Sequence, residues 1–459
     1  MQKIGAVVLA AGKSTRLKSA IPKVLHSVCG KPLVVHTVNA VLEADKVSKI
    51  AVVISSEFKS EFESTFSGKN GITFSVQKKQ KGTADAVLAA KNALLNSCEY
   101  VLIIPGDVPL IRPETLKKFI DATIAHDVVG GVLSMEPLDS AAYGRVVRSA
   151  DGRLKAIVEA KDASPEELLI REVNGGVYCV KCRWLFNALE KIAPDNAQKE
   201  YYLTDIVKIA VSEGVKMIVA RADDPDELLG VNTRKELAEA SRLKQIRILE
   251  KLMKDGVGIL DINNTYIDDG VIIGADTVIS PNCSIRGGTK IGKSCFIDNG
   301  VIIKNSVIGD EVIIKPYSVI DESSIGDCCH VGPFARLRPG AVIESEAKIG
   351  NFVEIKKSII KKGAKANHLS YIGDAVVGLR TNIGCGTITC NYDGQKKHQT
   401  VIGNDVFVGS DVQFVAPVKI GSGALIGAGS TITENVPANS LAIARGKQVI
   451  KRGWAKKRG

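Results

Sequence analysis

Ile291-Gly292, Ile308-Gly309 and Ile325-Gly326 belong to a stretch, from about Tyr266 to Pro437, in which an aliphatic residue followed by glycine recurs. These three pairs are equally spaced along the chain, and several other pairs in the stretch recur at every sixth position. A period of about 6 with a superperiod near 18 fits neither the 3.6-residue period of a helix nor the two-residue alternation of a strand. It predicts a parallel β-helix in which three short sides make one coil, with roughly nine coils in the stretch.

The repeat is interrupted at two places. The interval from Ile349-Gly350 to Ile372-Gly373 is longer than one coil of about 18 residues, and so, slightly, is the interval from Ile383-Gly384 to Ile402-Gly403. Insertions in repeat proteins form loops, often on the face that binds a ligand. We therefore expect two loops here, and the first of these segments contains His368.

His368 is a candidate for chemistry, although a lone histidine is more often structural than catalytic. An imidazole takes up protons near neutral pH, so it suits a general base. A run of charges is usually a solvated face, but basic and hydrogen-bonding residues beside a histidine can also bind a phosphorylated substrate. The residues concerned are Arg338, Lys356, Lys357, Lys361, Lys362, Lys365, Tyr371, Asn382, Asn391 and Tyr392.

The composition is that of an ordinary soluble protein. Of the 459 residues, hydrophobic types make up 45% and charged types 24%, and a chain of this length predicts two or three domains. No apolar run reaches about 18 residues, so we expect no transmembrane helix. The net charge of +11 suggests anionic ligands, but the sequence contains no known nucleic-acid-binding motif. Part of the charge lies in Lys451–Arg458, a run typical of a solvated tail.

The ten cysteines are scattered, which favours a reducing cytoplasm over a disulfide framework. Cys179 and Cys182 form a CxxC motif, but no second pair or suitably spaced histidines follow to complete a zinc site. The pair ends an apolar, strand-like run, so we interpret both as packing thiols.

Two strands in the first half of the chain end in residues suited to phosphate and metal chemistry. Gly5–Ala10 is a continuous apolar run typical of a buried parallel strand, and small and basic residues including Gly12, Arg16 and Lys23 follow it. The generic loop signal is equally compatible with an ordinary strand-to-helix turn, since neither GxGxxG nor a P-loop is present. A second buried strand ends at Asp107. A carboxylate there suits Mg²⁺ held together with substrate phosphates, although an isolated turn aspartate is as common.

The longer motif separates these alternatives. Leu9–Leu17 together with Pro22-Lys23 resembles the signature of sugar-nucleotide pyrophosphorylases, except that Ser14 stands where the family commonly has glycine. Later segments resemble the family's uracil-recognition, sugar-binding and closing motifs: Gln77 with Gln80–Ala84, Tyr143–Arg145, Val158–Asp162, Val173–Gly176, Glu200–Asp205 and Gly230–Asn232.

This resemblance implies a Rossmann-like α/β nucleotidyltransferase domain that binds UTP, a sugar 1-phosphate and Mg²⁺. Asp107 and Asn232 would hold the metal, while Gly144, Glu159 and Asn174 would contact an N-acetylglucosamine moiety. The full set of implied substrate-binding residues is Leu9, Ala10, Ala11, Gly12, Arg16, Lys23, Gln77, Gly82, Thr83, Pro105, Gly106, Asp107, Gly144, Glu159, Asn174 and Asn232.

An apolar residue recurs about every three positions between Thr233 and Asp255, which predicts one amphipathic helix. We therefore expect a nucleotidyltransferase domain at 1–232, a helical linker at 233–255 and a β-helix domain at 256–459.

Three segments of the repeat region, Val331–Gly340, Gly350–Lys357 and Asn382–Gly394, resemble one family of bifunctional enzymes. That family joins glucosamine-1-phosphate N-acetyltransferase to N-acetylglucosamine-1-phosphate uridyltransferase, and the resemblance covers essentially the whole chain in order. It implies a left-handed β-helix, a homotrimer and His368 as the general base. It also implies that Arg338, Lys356, Tyr371, Asn382 and Lys397 bind the sugar phosphate, and that Cys385, Asn391, Tyr392, Ser410, Ala428 and Arg445 line the acetyl-CoA site.

The predicted function is synthesis of UDP-N-acetylglucosamine in the cytoplasm, feeding bacterial peptidoglycan and lipopolysaccharide synthesis. Acetyl-CoA would acetylate glucosamine 1-phosphate, and UTP would then uridylylate N-acetylglucosamine 1-phosphate with release of pyrophosphate. One alternative is a single-activity pyrophosphorylase with a structural or regulatory β-helix. Another is a subunit of a translation-initiation exchange factor, which shares the two-part layout but acts by binding proteins. The full phosphate-loop motif and the His368 constellation favour the bifunctional enzyme, since a scaffold need not keep both.

Overall fold

The computed structural model describes residues 3–12 and 14–454. These residues form two compact units, and the division between the units falls between Lys244 and Gln245. Lys13 of the predicted phosphate loop and residues 455–458 of the predicted tail lie outside the described residues. In the described part of the chain, no helix is long and apolar enough to cross a membrane.

The first unit is built on one mixed sheet with the order β11-β7-β10-β6-β1-β4-β5. The strand β1 pairs in parallel with β4 and β6, whereas β10 runs antiparallel to both β6 and β7. The strands are β1 (Ile4–Leu9), β2 (Ser27–Val28), β3 (Lys31–Pro32), β4 (Val47–Ile54), β5 (Ile72–Val76), β6 (Tyr100–Pro105), β7 (Gly130–Met135), β8 (Arg145–Arg148), β9 (Leu154–Val158), β10 (Val173–Lys181) and β11 (Met217–Arg221).

Helices cover both faces of this sheet, which is why its central strands are apolar along their whole length. In β1, Ala6 and Val8 pack into one core cluster, whereas Val7 packs into the cluster on the opposite face. The helices are α1 (Leu33–Glu43), α2 (Lys59–Thr65), α3 (Thr83–Ala89), α4 (Lys91–Leu94), α5 (Pro113–Ala125), α6 (Pro165–Leu168), α7 (Cys182–Leu189) and α8 (Asp205–Ser212). A further helix, α9 (Arg234–Lys254), continues past Lys244, the last residue of this unit.

The second unit is a three-sided parallel β-helix with short strands. The first side consists of Gly258–Ile259, Val278–Ile279, Phe296–Ile297, Ile313–Ile314, His330–Val331, Lys348–Asn351, Lys365–His368, Asn382–Ile383, Phe407–Val408, Leu425–Ile426 and Leu441–Ala442. The second consists of Tyr266–Ile267, Ser284–Arg286, Ile302–Lys304, Val319–Asp321, Arg336–Leu337, Glu354–Lys356, Tyr371–Gly373, Ile388–Cys390, Gln413–Val415 and Thr431–Ile432. The third consists of Ile272–Ile273, Lys290–Ile291, Val307–Ile308, Ser324–Ile325, Val342–Ile343, Ile359–Ile360, Ala375–Val377, Thr400–Ile402 and Val418–Ile420.

Most of the short strands direct one residue into the β-helix core, and a few, such as Ala375–Val377, direct two. These residues stack from coil to coil. On the first side Ile314, Val331 and Ile349 are register neighbours and are almost completely buried. Because each inward residue is covered only by the coils above and below, the repeat itself builds the continuous core.

The expectation of a loop insertion between Ile349 and Ile372 is wrong. Ile349 pairs with Ala366, and Ile355 pairs with Ile372, so each of these two steps is one regular coil long. Ala366 fills the inward position and is 1% exposed. The aliphatic pattern is interrupted at this position because alanine stands where other coils have a larger residue. The length of the coil does not change.

The second expected insertion is present. Ala375 pairs with Thr400, whereas one coil earlier Ile360 pairs with Val377, so the later coil is longer and carries an extra loop. Within the loop, Tyr392 and Lys397 form an antiparallel bridge.

Candidate active sites

The first unit contains a cleft of about 550 Å³ at the ends of β1 and β6. The cleft brings together ten of the predicted nucleotidyltransferase residues, and Gln80 and Glu200 also line it. The ten are Leu9, Ala11, Gly12, Arg16, Lys23, Gln77, Gly82, Thr83, Pro105 and Asp107. Ala10 and Gly106 do not line this cleft, but each is the immediate chain neighbour of residues that do.

Charged and amide groups converge at one point of this cleft. The Lys23 ammonium forms an ion pair with the Asp107 carboxylate and donates a hydrogen bond of 2.7 Å to Oδ1 of Asn232. Arg16 donates to the same amide oxygen at 2.9 Å. Asn232 therefore joins the centre although it lies far beyond Asp107 in the chain, and the backbone N–H of Val231 bonds to the Asp107 carbonyl at 3.0 Å.

Ser14, which departs from the family pattern, has a structural role in this loop. Its hydroxyl oxygen accepts a hydrogen bond from the backbone N–H of Lys23. Gln80 ties the loop down from another segment, because its amide donates to the Ala11 carbonyl at 2.6 Å. The loop conformation is thus held by two side-chain contacts.

Gly82 is required for the contact between two of the predicted substrate segments. Its φ of 126° lies in a region that favours glycine, and a Cβ at this position would overlap the backbone of Tyr201. The backbone N–H of Ala84 bonds to the Tyr201 carbonyl at 2.9 Å, and the Leu203 N–H bonds to the Thr83 hydroxyl at 2.9 Å.

The three residues predicted to contact the sugar form a second cluster. The Asn174 N–H donates to the Gly144 carbonyl at 2.8 Å, and a Cβ on Gly144 would lie 3.4 Å from Oε2 of Glu159. Burial raises the pKa of Glu159, partly offset by a hydrogen bond from Thr204. Asn174 in turn donates at 2.8 Å to the hydroxyl of the fully buried Tyr178.

The residues predicted to hold Mg²⁺ fit that ion. Asp107 and Asn232 each direct an oxygen atom at the same cation, the Lys23 ammonium. Oxygen donors are what Mg²⁺ prefers, and it usually takes only one or two protein ligands because waters and substrate phosphates complete its shell. Within the described residues, no group of three or more His, Cys, Asp or Glu side chains gathers as a metal site.

His368 ends a strand on the first side of the β-helix, and its side chain is exposed. Its Nδ1 lies 2.9 Å from Oδ1 of Asn351, which occupies the equivalent position one coil earlier. When Nδ1 carries the proton that this amide oxygen accepts, Nε2 is left with a free lone pair. The Asn351 oxygen on the adjacent coil thereby favours the tautomer in which Nε2 is the nitrogen that accepts a proton.

The second side and the loop that follows it carry the predicted phosphate-binding residues other than Asn382. Arg338 forms a 2.7 Å ion pair with Glu354, which pairs in register with Tyr371. A hydrogen bond and charge repulsion from Lys356 lower the pKa of Lys397. Two ammonium groups are thus close together, and a bound anion would relieve their repulsion.

Asp374 and Asp393 organise the loop that carries Lys397. Asp374 accepts a 2.5 Å hydrogen bond from the Asn391 amide. Asp393 accepts hydrogen bonds from the backbone N–H groups of Gln395 and Lys396 and lies 2.7 Å from Nε2 of His398. These bonds, together with that from His398, hold the pKa of Asp393 well below its usual range.

The predicted acetyl-CoA residues occupy two different corners of the β-helix. Backbone hydrogen bonds connect successive turns at the corner after the first side: Leu369 to Asn351, Gly386 to Leu369, Asp411 to Cys385 and Gly429 to Ser410. Cys385, Ser410 and Ala428 therefore follow His368 in one row, and Arg445 joins the row by donating to the Ala428 carbonyl at 2.8 Å. Asn391 and Tyr392 instead follow the second side, and Asn382 lies on the first side itself.

Sequence reasoning missed several partners of the predicted residues. Glu354 and Asp374 contact Arg338 and Asn391 from about one coil away, and Tyr178 contacts Asn174 from the same strand. Asn351 was detectable, because it precedes His368 by one coil.

Comparison with known protein families assigns a class to each part of the chain. Residues 6–172 match the MobA-like NTP transferase domain, residues 262–343 match the GMPPB C-terminal domain, and residues 399–434 match the bacterial transferase hexapeptide family. The fold and the sites thus define a transferase that joins a nucleotidyltransferase unit to a left-handed hexapeptide β-helix, and the predicted fold class is confirmed.

Curated relatives match the chain along its full length. The bifunctional protein GlmU of Geotalea uraniireducens is 49% identical over 100% of both chains, and that of Geotalea daltonii is 50% identical over 99% of both. The bifunctional protein GlmU of Clostridium botulinum is 44% identical over 99% of this chain and 98% of its own. The chain belongs to the bifunctional GlmU family. The family and the bifunctional enzyme predicted from sequence are confirmed, and nothing favours the single-activity alternative.

Proposed function

We propose that the chain makes UDP-N-acetylglucosamine in two steps, acetylation of glucosamine 1-phosphate and then uridylylation of N-acetylglucosamine 1-phosphate. The observation that carries the proposal is that each unit has its own cationic site with distinct chemistry. One has Lys23 and Arg16 beside a buried carboxylate, and the other has Lys356 and Lys397 on the same β-helix as His368. A structural β-helix would need neither of the latter features.

In the uridyltransferase reaction the sugar phosphate attacks the α-phosphorus of UTP, and pyrophosphate leaves. This chemistry needs alignment and charge neutralisation, and no covalent nucleophile. Arg16 and Lys23 supply fixed positive charge where the phosphates meet, and Gln77, Gly82 and Thr83 position the uracil end of the cleft. Mg²⁺ on Asp107 and Asn232 would supply further charge neutralisation at the phosphates.

Glu159, Gly144 and Asn174 bind the N-acetylglucosamine moiety in this proposal. Asn174 is oriented because Tyr178 and the Gly176 N–H occupy both ends of its amide. The raised pKa of Glu159 reflects a carboxyl removed from water, and sugar hydroxyls would satisfy it as hydrogen-bond partners. The site thus distinguishes a polar sugar from an apolar group of equal size.

In the acetyltransferase reaction His368 takes a proton from the glucosamine amine as the amine attacks the acetyl-CoA thioester. Asn351 keeps Nδ1 protonated, so Nε2 is the accepting atom. Arg338, Lys356 and Lys397 bind the sugar phosphate together with Tyr371, and Asn382 contributes from the first side of the β-helix. Acetyl-CoA contacts Cys385, Ser410, Ala428 and Arg445 along one corner, and Asn391 and Tyr392 at the other.

We further propose that the protein is a homotrimer in the cytoplasm. Asn391 and Tyr392 lie at a different corner from Cys385 and Ser410, so a site that uses both groups is more readily completed by a neighbouring subunit under cyclic symmetry. Phosphorylated sugars, UTP and acetyl-CoA are intracellular substrates. Residues 1–232, 233–255 and 256–459 then act as the uridyltransferase, linker and acetyltransferase domains. A monomeric mass by light scattering with intact acetyl transfer would contradict the trimer.

One incubation tests the two-step proposal. The protein is mixed with glucosamine 1-phosphate, acetyl-CoA, UTP and Mg²⁺, and mass spectrometry follows UDP-N-acetylglucosamine. We expect product only when acetyl-CoA is present. In a parallel arm, N-acetylglucosamine 1-phosphate should give product without acetyl-CoA. Product in the second arm alone would show a single-activity pyrophosphorylase.

A further inference from the structure

Two free cysteines of the first unit lie side by side although they are far apart in the chain. The sulfur atoms of Cys98 and Cys182 are 3.7 Å apart. Cys182 is 1% exposed, whereas Cys98 is half-buried. Cys179, the sequence partner of Cys182 in the CxxC motif, packs in the core cluster on the opposite face of the sheet. The motif therefore does not form a thiol pair, but one of its members pairs with a distant cysteine.

The backbone fixes the two thiols next to each other. Tyr100 of β6 is the register partner of Lys181 of β10, and the Cys182 N–H bonds to the Glu99 carbonyl at 2.7 Å. Gly5 of the neighbouring strand leaves room for the pair, because a Cβ there would lie 3.0 Å from the Cys98 sulfur. Cys98 lies just before β6 and Cys182 just after β10, so the register of these two strands brings the two thiols together.

The pair opens to the surface and is unequal in reactivity. A cavity of about 800 Å³ is lined by both cysteines together with Lys3, Lys181 and Arg183. A hydrogen bond from Cys182 lowers the pKa of Cys98, assisted by the Gly5 backbone, whereas the same contact and burial raise the pKa of Cys182. Cys98 is therefore the more accessible sulfur and the better nucleophile of the two.

We propose that Cys98 and Cys182 form a reversible disulfide when the protein meets a low-molecular-weight disulfide. The Cys98 thiolate attacks one sulfur of the small disulfide, forming a mixed disulfide and releasing one thiolate. The Cys182 sulfur then loses its proton and attacks the Cys98 sulfur, releasing the second small thiolate. Two protein thiols are oxidised and one small disulfide is reduced to two thiols, so electrons and protons balance.

The disulfide acts as a covalent clamp on the first unit and not as an inhibitor of its site. Closing the sulfurs from 3.7 Å to about 2.05 Å requires a movement of less than about 2 Å. The pair lies where β6 begins, whereas Asp107 follows the end of the strand, roughly 20 Å away for a strand of this length. Cross-linking two residues so far apart in the chain restricts the unfolded state strongly.

The test compares wild type with Cys98→Ser, Cys182→Ser and the control Cys29→Ser, which removes another partly buried thiol of the same unit. Each folded protein is incubated with glutathione disulfide, alkylated and digested with trypsin without reduction. Cleavage after Lys181 separates Cys179 from Cys182, so the linked peptide identifies the cysteine that has reacted. We expect a Cys98–Cys182 link in wild type and Cys29→Ser, and a mixed disulfide on Cys98 in Cys182→Ser.

The same samples are used to measure how the disulfide changes thermal stability and uridylyl transfer. The oxidised wild type should unfold roughly 5 °C or more above the reduced protein, reversibly with dithiothreitol, while uridylyl transfer stays within about twofold. Cys98→Ser should show no such shift. A Cys179–Cys182 link, a stable mixed disulfide on wild-type Cys98, or no reaction while Cys98 alkylates readily would each overturn the proposal. The peptide map of the wild type alone decides the matter if a serine variant does not fold.

Discussion

The two units assemble their candidate sites in different ways. The first collects residues from segments far apart in the chain, since Asp107 and Asn232 both contact the Lys23 ammonium. The second unit takes neighbours from successive coils. Asn351 contacts His368 because the two residues occupy equivalent positions on adjacent coils. In the first unit, the separation of two residues in the sequence therefore does not predict whether their side chains meet. In the β-helix, a separation of one coil predicts that they do.

The largest effect that would sharpen this comparison is expected at His368. His368→Ala removes the proposed proton acceptor, so acetylation of glucosamine 1-phosphate should fall by roughly 10²–10⁴-fold. Uridylylation of added N-acetylglucosamine 1-phosphate should stay near wild type, because the two sites share no residue. Both half-reactions are measured on one preparation, with folding checked by circular dichroism. Near-normal acetyl transfer per folded enzyme would return His368 to a structural role.

The converse experiment uses Asp107→Asn, which keeps the size of the side chain but removes its charge. The Lys23 ammonium loses its counter-ion and the metal loses its carboxylate ligand, so uridylyl transfer should fall by roughly 10²–10³-fold. Acetyl transfer should persist, since it uses no metal in this scheme. Loss of acetyl transfer at unchanged folding would refute the assignment of Asp107 to the first site alone.

A third prediction tests how tightly successive coils pack. A Cβ on Gly350 would overlap the backbone of Asn367 on the next coil, whereas a Cβ on Gly288 meets nothing within 4 Å. Gly350→Ala should therefore lower the free energy of unfolding by about 1–3 kcal/mol, and Gly288→Ala should be nearly neutral. Equal effects in denaturant titrations would mean that the coil stacking near His368 is looser than the structure shows.

A smaller effect is expected from Asn351→Ala. Without the amide oxygen, Nδ1 of His368 loses its acceptor and the productive tautomer is less favoured, so kcat for acetyl transfer should fall about tenfold. The KM for glucosamine 1-phosphate should change little. Asn351→Asp keeps an oxygen acceptor and should restore part of kcat. Equal loss in both variants would indicate that Asn351 supports the coil and does not orient the histidine.

The smallest effect concerns pH and stability. Burial raises the pKa of Glu159 in the folded protein above its unfolded value, so its contribution to stability is full at low pH and is lost as pH rises through the folded pKa. Glu159→Gln cannot ionise, so its stability relative to wild type should increase as pH rises from about 4.5, the ordinary pKa of a glutamate, through the folded pKa of Glu159. Glu63→Gln, on an exposed part of α2, is the matched control. A pH-independent difference for Glu159→Gln would show that the carboxyl is not desolvated.

Much of the β-helix was predictable from sequence because the period of its aliphatic residues equals the number of residues in one side of a coil. The predicted insertion near His368 failed for an equally simple reason. Ala366 fills an inward position at which the repeat predicts a larger aliphatic residue. The real insertion was predicted between Ile383 and Ile402, and it lies within the longer coil from Ala375 to Thr400.

In the first unit, the strands could be predicted from their apolar runs, but their partners could not. The convergence of Asp107 and Asn232 depends on which strands are neighbours in the sheet. The contact of Asn174 with Tyr178 is made within β10 itself, across the register shift between Asn174 and Val177. The CxxC interpretation illustrates this limit. Spacing in the sequence pairs Cys182 with Cys179, while the antiparallel register of β6 and β10 pairs it with Cys98.

The corner row runs from His368 through Cys385, Ser410 and Ala428 to Arg445, with one of these residues on each coil. Neighbouring coils are about 4.8 Å apart, so four coil steps place the two ends of the row roughly 19 Å from each other. The span available to an elongated cofactor is then a whole number of coils. Removing one coil between Cys385 and Arg445 would shorten the row by about 4.8 Å and leave the His368–Asn351 pair untouched.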